Sequence, residues 1–153
     1  MACKGADVKR LAIAIPTALI LFLFGCGSGN NSSSVVNIAG NWSFTGNSTK
    51  FGDQFTATGA IVQTGSSVSG ALTLEDDPCA TTASFSGSVS GSNLSVQLNE
   101  GGQEVSYTGT ITDNGSAAGG TYTAPAGGCT GGDTGTWSGT RTSAAADRGA
   151  PKP

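Results

Sequence analysis

Between Phe55 and Trp137 apolar residues alternate with Ser and Thr, and a glycine stands at the centre of one alternating run after another. The runs read ATGAI at 57–61, VSGAL at 68–72, FSGSV at 85–89, YTGTI at 107–111 and WSGTR at 137–141. Period-two alternation puts every second side chain on one face, as in a sheet buried on one side. Glycine weakens a strand, so its repetition needs a cause. Gly59, Gly70, Gly87, Gly109 and Gly139 each lie two residues from apolar neighbours and therefore share their face. A glycine on the concave side of a small sheet permits the coiling that closure demands and avoids crowding at the axis.

Eight segments carry the alternation, near 40–45, 54–62, 67–74, 83–90, 93–98, 104–112, 116–123 and 134–142. The seventh, with SAAGGTY, has the least apolar mass. The second, fourth and sixth connections are brief (TGS, GSN and DNGS) and carry the residues that tight hairpins need. The odd connections, TGNSTKFGD, EDDPCATT, NEGGQ and PAGGCTGGD, are longer. An up-and-down meander then has one trimmed end and one end with loops. The expected fold is all-β, an eight-stranded antiparallel up-and-down β-barrel over residues 40–142, which removes its own edges. Phe55, Phe85, Tyr107, Tyr122 and Trp137 are the candidates to line its interior. The pattern leaves open whether large side chains such as Trp42, Phe85 and Trp137 fill the space above the glycines or leave a cavity.

Lys4, Lys9 and Arg10 precede the apolar run LAIAIPTALILFLFG at 11–25, the order of a secretory signal peptide. The run is short for a membrane span and Pro16 interrupts it. It ends in LFGC, which resembles the lipobox of bacterial lipoproteins. The resemblance implies cleavage before Cys26 and lipid on that cysteine, hence a membrane anchor. Gly27, in place of Asp, implies an outer-membrane address by the enterobacterial sorting rule. The resulting division is a signal peptide over 1–25, a lipidated cysteine and polar tether over 26–39, in which Val35, Val36 and Ile38 can already begin the fold, the barrel over 40–142 and a tail over 143–153 without apolar periodicity. Beyond Cys26 four Lys/Arg face nine Asp/Glu, a net charge of −5, and no basic patch survives to bind nucleic acid.

Export places Cys79 and Cys129 in an oxidising compartment, where they are expected to form a disulfide. Both fall in odd connections, so the meander brings them to the same end. The rival reading, a metal or reactive-thiol pair, lacks any histidine in the chain to complete a zinc site.

The first strand opens with GNW, Gly40 to Trp42, and the last ends in Arg141. This resembles the lipocalin and wider calycin pattern, in which a Gly-x-Trp begins strand one and an arginine from the last strand packs over the tryptophan at the closed end. The resemblance implies that Gly40, Trp42 and Arg141 form a stacked base. It also implies a barrel that holds a small, partly apolar molecule.

Without histidine there is no Ser-His-Asp triad, and neither Gly-x-Ser-x-Gly nor Ser-x-x-Lys occurs. No enzyme is expected, and no cofactor or metal. Glu75, Asp76 and Asp77 are expected as a solvated turn, with weak calcium binding as the rival reading. Asp53, Glu100, Glu104 and Asp133 are expected to make the loop end acidic. The leading functional expectation is a lipid-anchored envelope protein binding a small apolar molecule inside the barrel. The alternatives are a module acting through its loop end on another envelope protein, in analogy to barrel-shaped lysozyme-inhibiting lipoproteins, and a structural component with a filled core. A large apolar cavity favours the first, and a filled interior with an exposed aromatic at the loops favours the second.

Overall fold

The computed structural model describes residues 34–145; the expected signal peptide, the lipobox with Cys26 and the end of the tail lie outside the described residues. Eight strands follow one another: β1 (Gly40–Ser48), β2 (Gln54–Thr64), β3 (Ser67–Glu75), β4 (Thr82–Ser90), β5 (Asn93–Glu100), β6 (Gln103–Thr112), β7 (Ala117–Ala124) and β8 (Asp133–Ala144). A single 3-10 turn, Asp113–Gly115, precedes β7. Each strand pairs antiparallel with the next, and β8 returns to pair with β1, so the sheet closes into a barrel. The all-β up-and-down barrel and its strand count are as the alternation predicts. β8 runs on through Ala144, two residues beyond the expected end of the domain.

Three even-numbered turns sit at one end and four odd-numbered connections at the other. The fifth connection differs from expectation. It is only Gly101–Gly102, because β5 extends through Glu100 and both glycines adopt positive φ, 59° and 93°. Two such residues are what a tight hairpin turn requires.

The glycines face inward and large side chains stand against them. Phe85 is paired with Gly70 across β3 and β4, and a Cβ on Gly70 would lie 2.7 Å from its ring. Phe44 is paired with Gly139, Phe55 with Gly46 and Tyr122 with Gly135. Trp137 covers Gly109, and its indole N–H reaches the backbone carbonyls of Thr108 and Thr121 at 3.1 and 3.2 Å. The missing side chains therefore make room for rings, and the question left by the sequence resolves toward a filled interior. The void among Phe44, Leu72, Leu74, Phe85, Leu98 and Trp137 is only about 60 Å³. β7 can be poor in apolar mass because Trp137, opposite Gly120, occupies the space that its side chains leave free.

The trimmed end is closed by chain that was expected to belong to the tether. Ile38 is fully buried. Its N–H donates to the Gln63 side chain at 2.8 Å, and its carbonyl accepts the Trp42 indole N–H at 2.8 Å. The Val36 carbonyl accepts from Gln63 at 3.0 Å. Residues 36–39 are thus part of the barrel, as an apolar plug whose backbone groups are met by side chains of β1, β2 and β8. The base itself differs from the expected stack. Arg141 is paired with Trp42 in the β1–β8 register, so the two are adjacent. Its guanidinium donates to the carbonyls of Asn37 and Ala39, both at 3.3 Å, and the ring stacked on Trp42 is Phe44, 5.6 Å away. Among the described residues the cation–π contact is Lys50 over Phe51, not Arg141 over Trp42. Carbonyls brought in by the plug offer the guanidinium directed acceptors, which outweigh an indole face.

Candidate functional site

The loop end is held together by cross-loop bonds. Cys79 in the β3–β4 loop and Cys129 in the β7–β8 loop form a disulfide with Cα atoms 5.7 Å apart, as the meander predicts. Asp77 accepts the backbone N–H groups of Cys79 and Ala80 at 2.7 and 3.0 Å, which shapes the turn that presents Cys79. Gln103, at the start of β6, accepts the Cys129 N–H at 2.7 Å. Lys50 in the β1–β2 loop donates to the carbonyls of Thr130 and Gly131 at 2.6 and 3.1 Å. Three loops are therefore tied to one another and to the barrel rim.

Between them lies a cup of about 470 Å³. Its floor is aromatic. Tyr107 and Tyr122 stack with ring centroids 5.4 Å apart, and Phe55 meets Tyr122 edge-on at 5.6 Å. These rings come from β2, β6 and β7, at inward positions in the loop-end half of each strand, with Val105 and Ala124 nearer the rim on β6 and β7. Its walls carry five carboxylates, Asp53, Asp76, Asp77, Glu100 and Asp133, and no Lys or Arg.

Two of these acids are buried, Glu100 at 8% exposure and Asp133 at 7%, and their environments set them apart. Asp133 accepts the Tyr122 hydroxyl at 2.6 Å and the backbone N–H groups of Lys50 and Thr134 at 3.2 and 2.8 Å. Burial opposes its charge, but the bonds from Tyr122, Ser48 and those two amides outweigh it and hold the carboxyl below its ordinary pKa. Glu100 has one side-chain donor, the Tyr107 hydroxyl at 3.4 Å. Burial, together with the nearby charge of Asp77, pushes its carboxyl up to about 7. Burial likewise raises both tyrosine hydroxyls, helped by Glu100 at Tyr107 and by Asp133 at Tyr122, so each stays protonated as a donor.

The five aromatic candidates divide by depth. Phe85 and Trp137 are packed inside the barrel, Tyr122 faces the cup, and Phe55 and Tyr107 border both. Of the acids expected at the loop end, Glu104 faces outward on β6, while Asp53, Glu100 and Asp133 reach the cup. The buried state of Glu100 and Asp133 was not foreseen, although a signal existed. Glu100 continues the inward parity of Leu94, Val96 and Leu98, and Asp133 opens that of Gly135 and Trp137. Among the described residues no three carboxylate or cysteine groups converge on a metal-binding geometry.

A scan against protein-family models finds no match, and searches of curated proteins and of solved structures find none.

Proposed function

We propose that this chain is an exported, lipid-anchored protein of the bacterial cell envelope, of calycin type, whose barrel is a binding module that takes its ligand in the loop-end cup. The address rests on LFGC and its basic and apolar lead-in. The calycin reading is supported by Gly40 and Trp42 opening β1, by Arg141 beside Trp42, and by the eight-stranded meander. The observation that favours the aromatic-floored cup over the barrel interior as the ligand site is the contrast in volume. Ligand pockets occupy about 300 to 1,000 Å³. The cup has about 470 Å³ and the barrel interior about 60 Å³. A small, partly apolar molecule fits the cup and has no room between the strands.

A second reading, docking of an envelope protein on the same end, is the one favoured by the filled interior together with Phe51, which is half exposed in the β1–β2 loop beside the cup. Native mass spectrometry of protein purified from its own envelope separates the two. A copurifying small molecule, displaced when Tyr107→Ala enlarges the floor, supports the cup. A protein adduct lost with Phe51→Ser supports docking. Protein that carries neither, and to which no small molecule binds on soaking, sinks the binding reading.

A further inference from the structure

The class of ligand follows from an imbalance between the two buried acids. Resting on the cup as the binding site, we propose that its occupant is an organic cation, an ammonium group on a short apolar body, with Glu100 as counter-ion and the Tyr107, Tyr122 and Phe55 rings as its floor.

An ionised carboxylate can accept about four hydrogen bonds, and a buried one is costly without them. Asp133 meets this need from the Tyr122 and Ser48 hydroxyls and the Lys50 and Thr134 amides. Glu100, equally buried, has one at 3.4 Å. Two basic side chains occur among the described residues, and both are committed elsewhere. Lys50 is bonded to Thr130 and Gly131, and Arg141 is bonded to Asn37 and Ala39 at the opposite end of the barrel. Within the described fold Glu100 therefore has no cation to pair with. The groups facing it are acidic or aromatic: Asp77 from the β3–β4 loop, Tyr107 from β6, Tyr122 from β7 and Asp133 at the start of β8. A cation bound there gains the carboxylate and the ring faces together, and desolvation in the cup strengthens both. An anion meets five carboxylates, and a neutral donor can bond Glu100 but brings no charge to offset it.

The test titrates the isotope-labelled protein with three probes of one shape and different charge, benzylamine, benzyl alcohol and benzoate, and follows amide shifts by NMR. Benzylamine is expected to shift the amides of Glu100, Tyr107 and Asp133, to bind about tenfold or more tightly than benzyl alcohol, and to leave benzoate unbound. Glu100→Gln, which keeps size and hydrogen bonding, is expected to remove that tenfold preference while the alcohol binds as before. In the unaltered protein, where folding is not in question, benzylamine affinity is expected to rise about tenfold from about pH 6 to about pH 8 as Glu100 ionises. If benzyl alcohol matches benzylamine at the cup, or the amine's affinity ignores both Glu100→Gln and pH, the cation is wrong and the cup stands. If no probe shifts a cup amide, the cup reading falls and the cation proposal with it.

Discussion

Phe85 lies directly across from Gly70, with its ring where a side chain on Gly70 would stand. The pair explains how a chain so rich in glycine holds a tight core. Gly46, Gly70, Gly109, Gly135 and Gly139 each make room for a neighbour's ring, and Gly59 and Gly87 for Leu72 and Val96, so the sheet coils around an interior with only about 60 Å³ of free space. Gly70→Ala is expected to destabilise the barrel by about 2–3 kcal/mol, since the new methyl must displace both the ring and the Ala60 carbonyl beside it. Phe85→Ala is expected to cost about 3–5 kcal/mol by emptying the same space. Urea denaturation of both variants checks the pair. If Gly70→Ala is neutral, the glycine is not there for the ring.

Glu100 sets the sign of a pH dependence. Its carboxyl titrates at about 7 in the barrel against an ordinary 4.5. Below the ordinary value both folded and unfolded chains hold the proton, and the protonated acid contributes its full stability. Between the two values the barrel keeps a proton that the unfolded chain has released, so stability falls as pH rises and the contribution is gone above about 7. The expected loss is about 1–2 kcal/mol between about pH 5 and about pH 8, allowing for solvent screening at the mouth. Asp133 acts in the opposite sense. Its lowered pKa gives stability that is present above the ordinary range and lost as acid protonates it. Denaturation midpoints of the protein and of Glu100→Gln across this range test the assignment, because the variant is expected to lose the decline.

Reduction of the Cys79–Cys129 bond releases a chain loop with a sequence separation of 50 residues. The chain-entropy model gives a loss of about 4 kcal/mol. The β3–β4 and β7–β8 loops form opposite walls of the cup, so Cys79→Ala with Cys129→Ala is expected to weaken any cup ligand as well as to lower stability. The barrel strands do not depend on the bridge for pairing, and far-ultraviolet circular dichroism is expected to remain that of a sheet below the new midpoint.

The strands and their order were legible because alternation, hairpin residues and cysteine placement all encode one meander. The same parity placed Phe55, Tyr107 and Tyr122 inward, but it did not say how deep each ring sits, since depth depends on strand stagger, which no local pattern carries. Arg141 and Trp42 came together as the resemblance implies, because register alone decides adjacency. Their stacking did not, because the competing acceptors belong to residues 36–39, a segment whose polar flank GSGNNSSS hides its role. Val36 and Ile38 were the visible sign that the fold begins before β1. In the sequence Glu100 looks like one more rim acid, because a lone carboxylate at an inward position resembles a loop residue until the two-residue turn after it is known.

The plug gives the last prediction. Ile38 is fully buried, and its backbone is bonded on both sides, to Gln63 and to Trp42. Ile38→Ala is expected to cost about 2–4 kcal/mol from lost burial and the cavity left behind. Gln63→Ala leaves the Ile38 N–H and the Val36 carbonyl without their side-chain partner, for about 1–3 kcal/mol. Both changes lie at the end of the barrel opposite the cup, so they are expected to leave the affinity for a cup ligand unchanged while the barrel remains folded. Hydrogen exchange at the Trp42 indole N–H reports the plug directly. It is expected to be protected in the unaltered protein and to speed up strongly when Ile38 is truncated, whereas equal exchange in both would mean that residues 36–39 do not close the base.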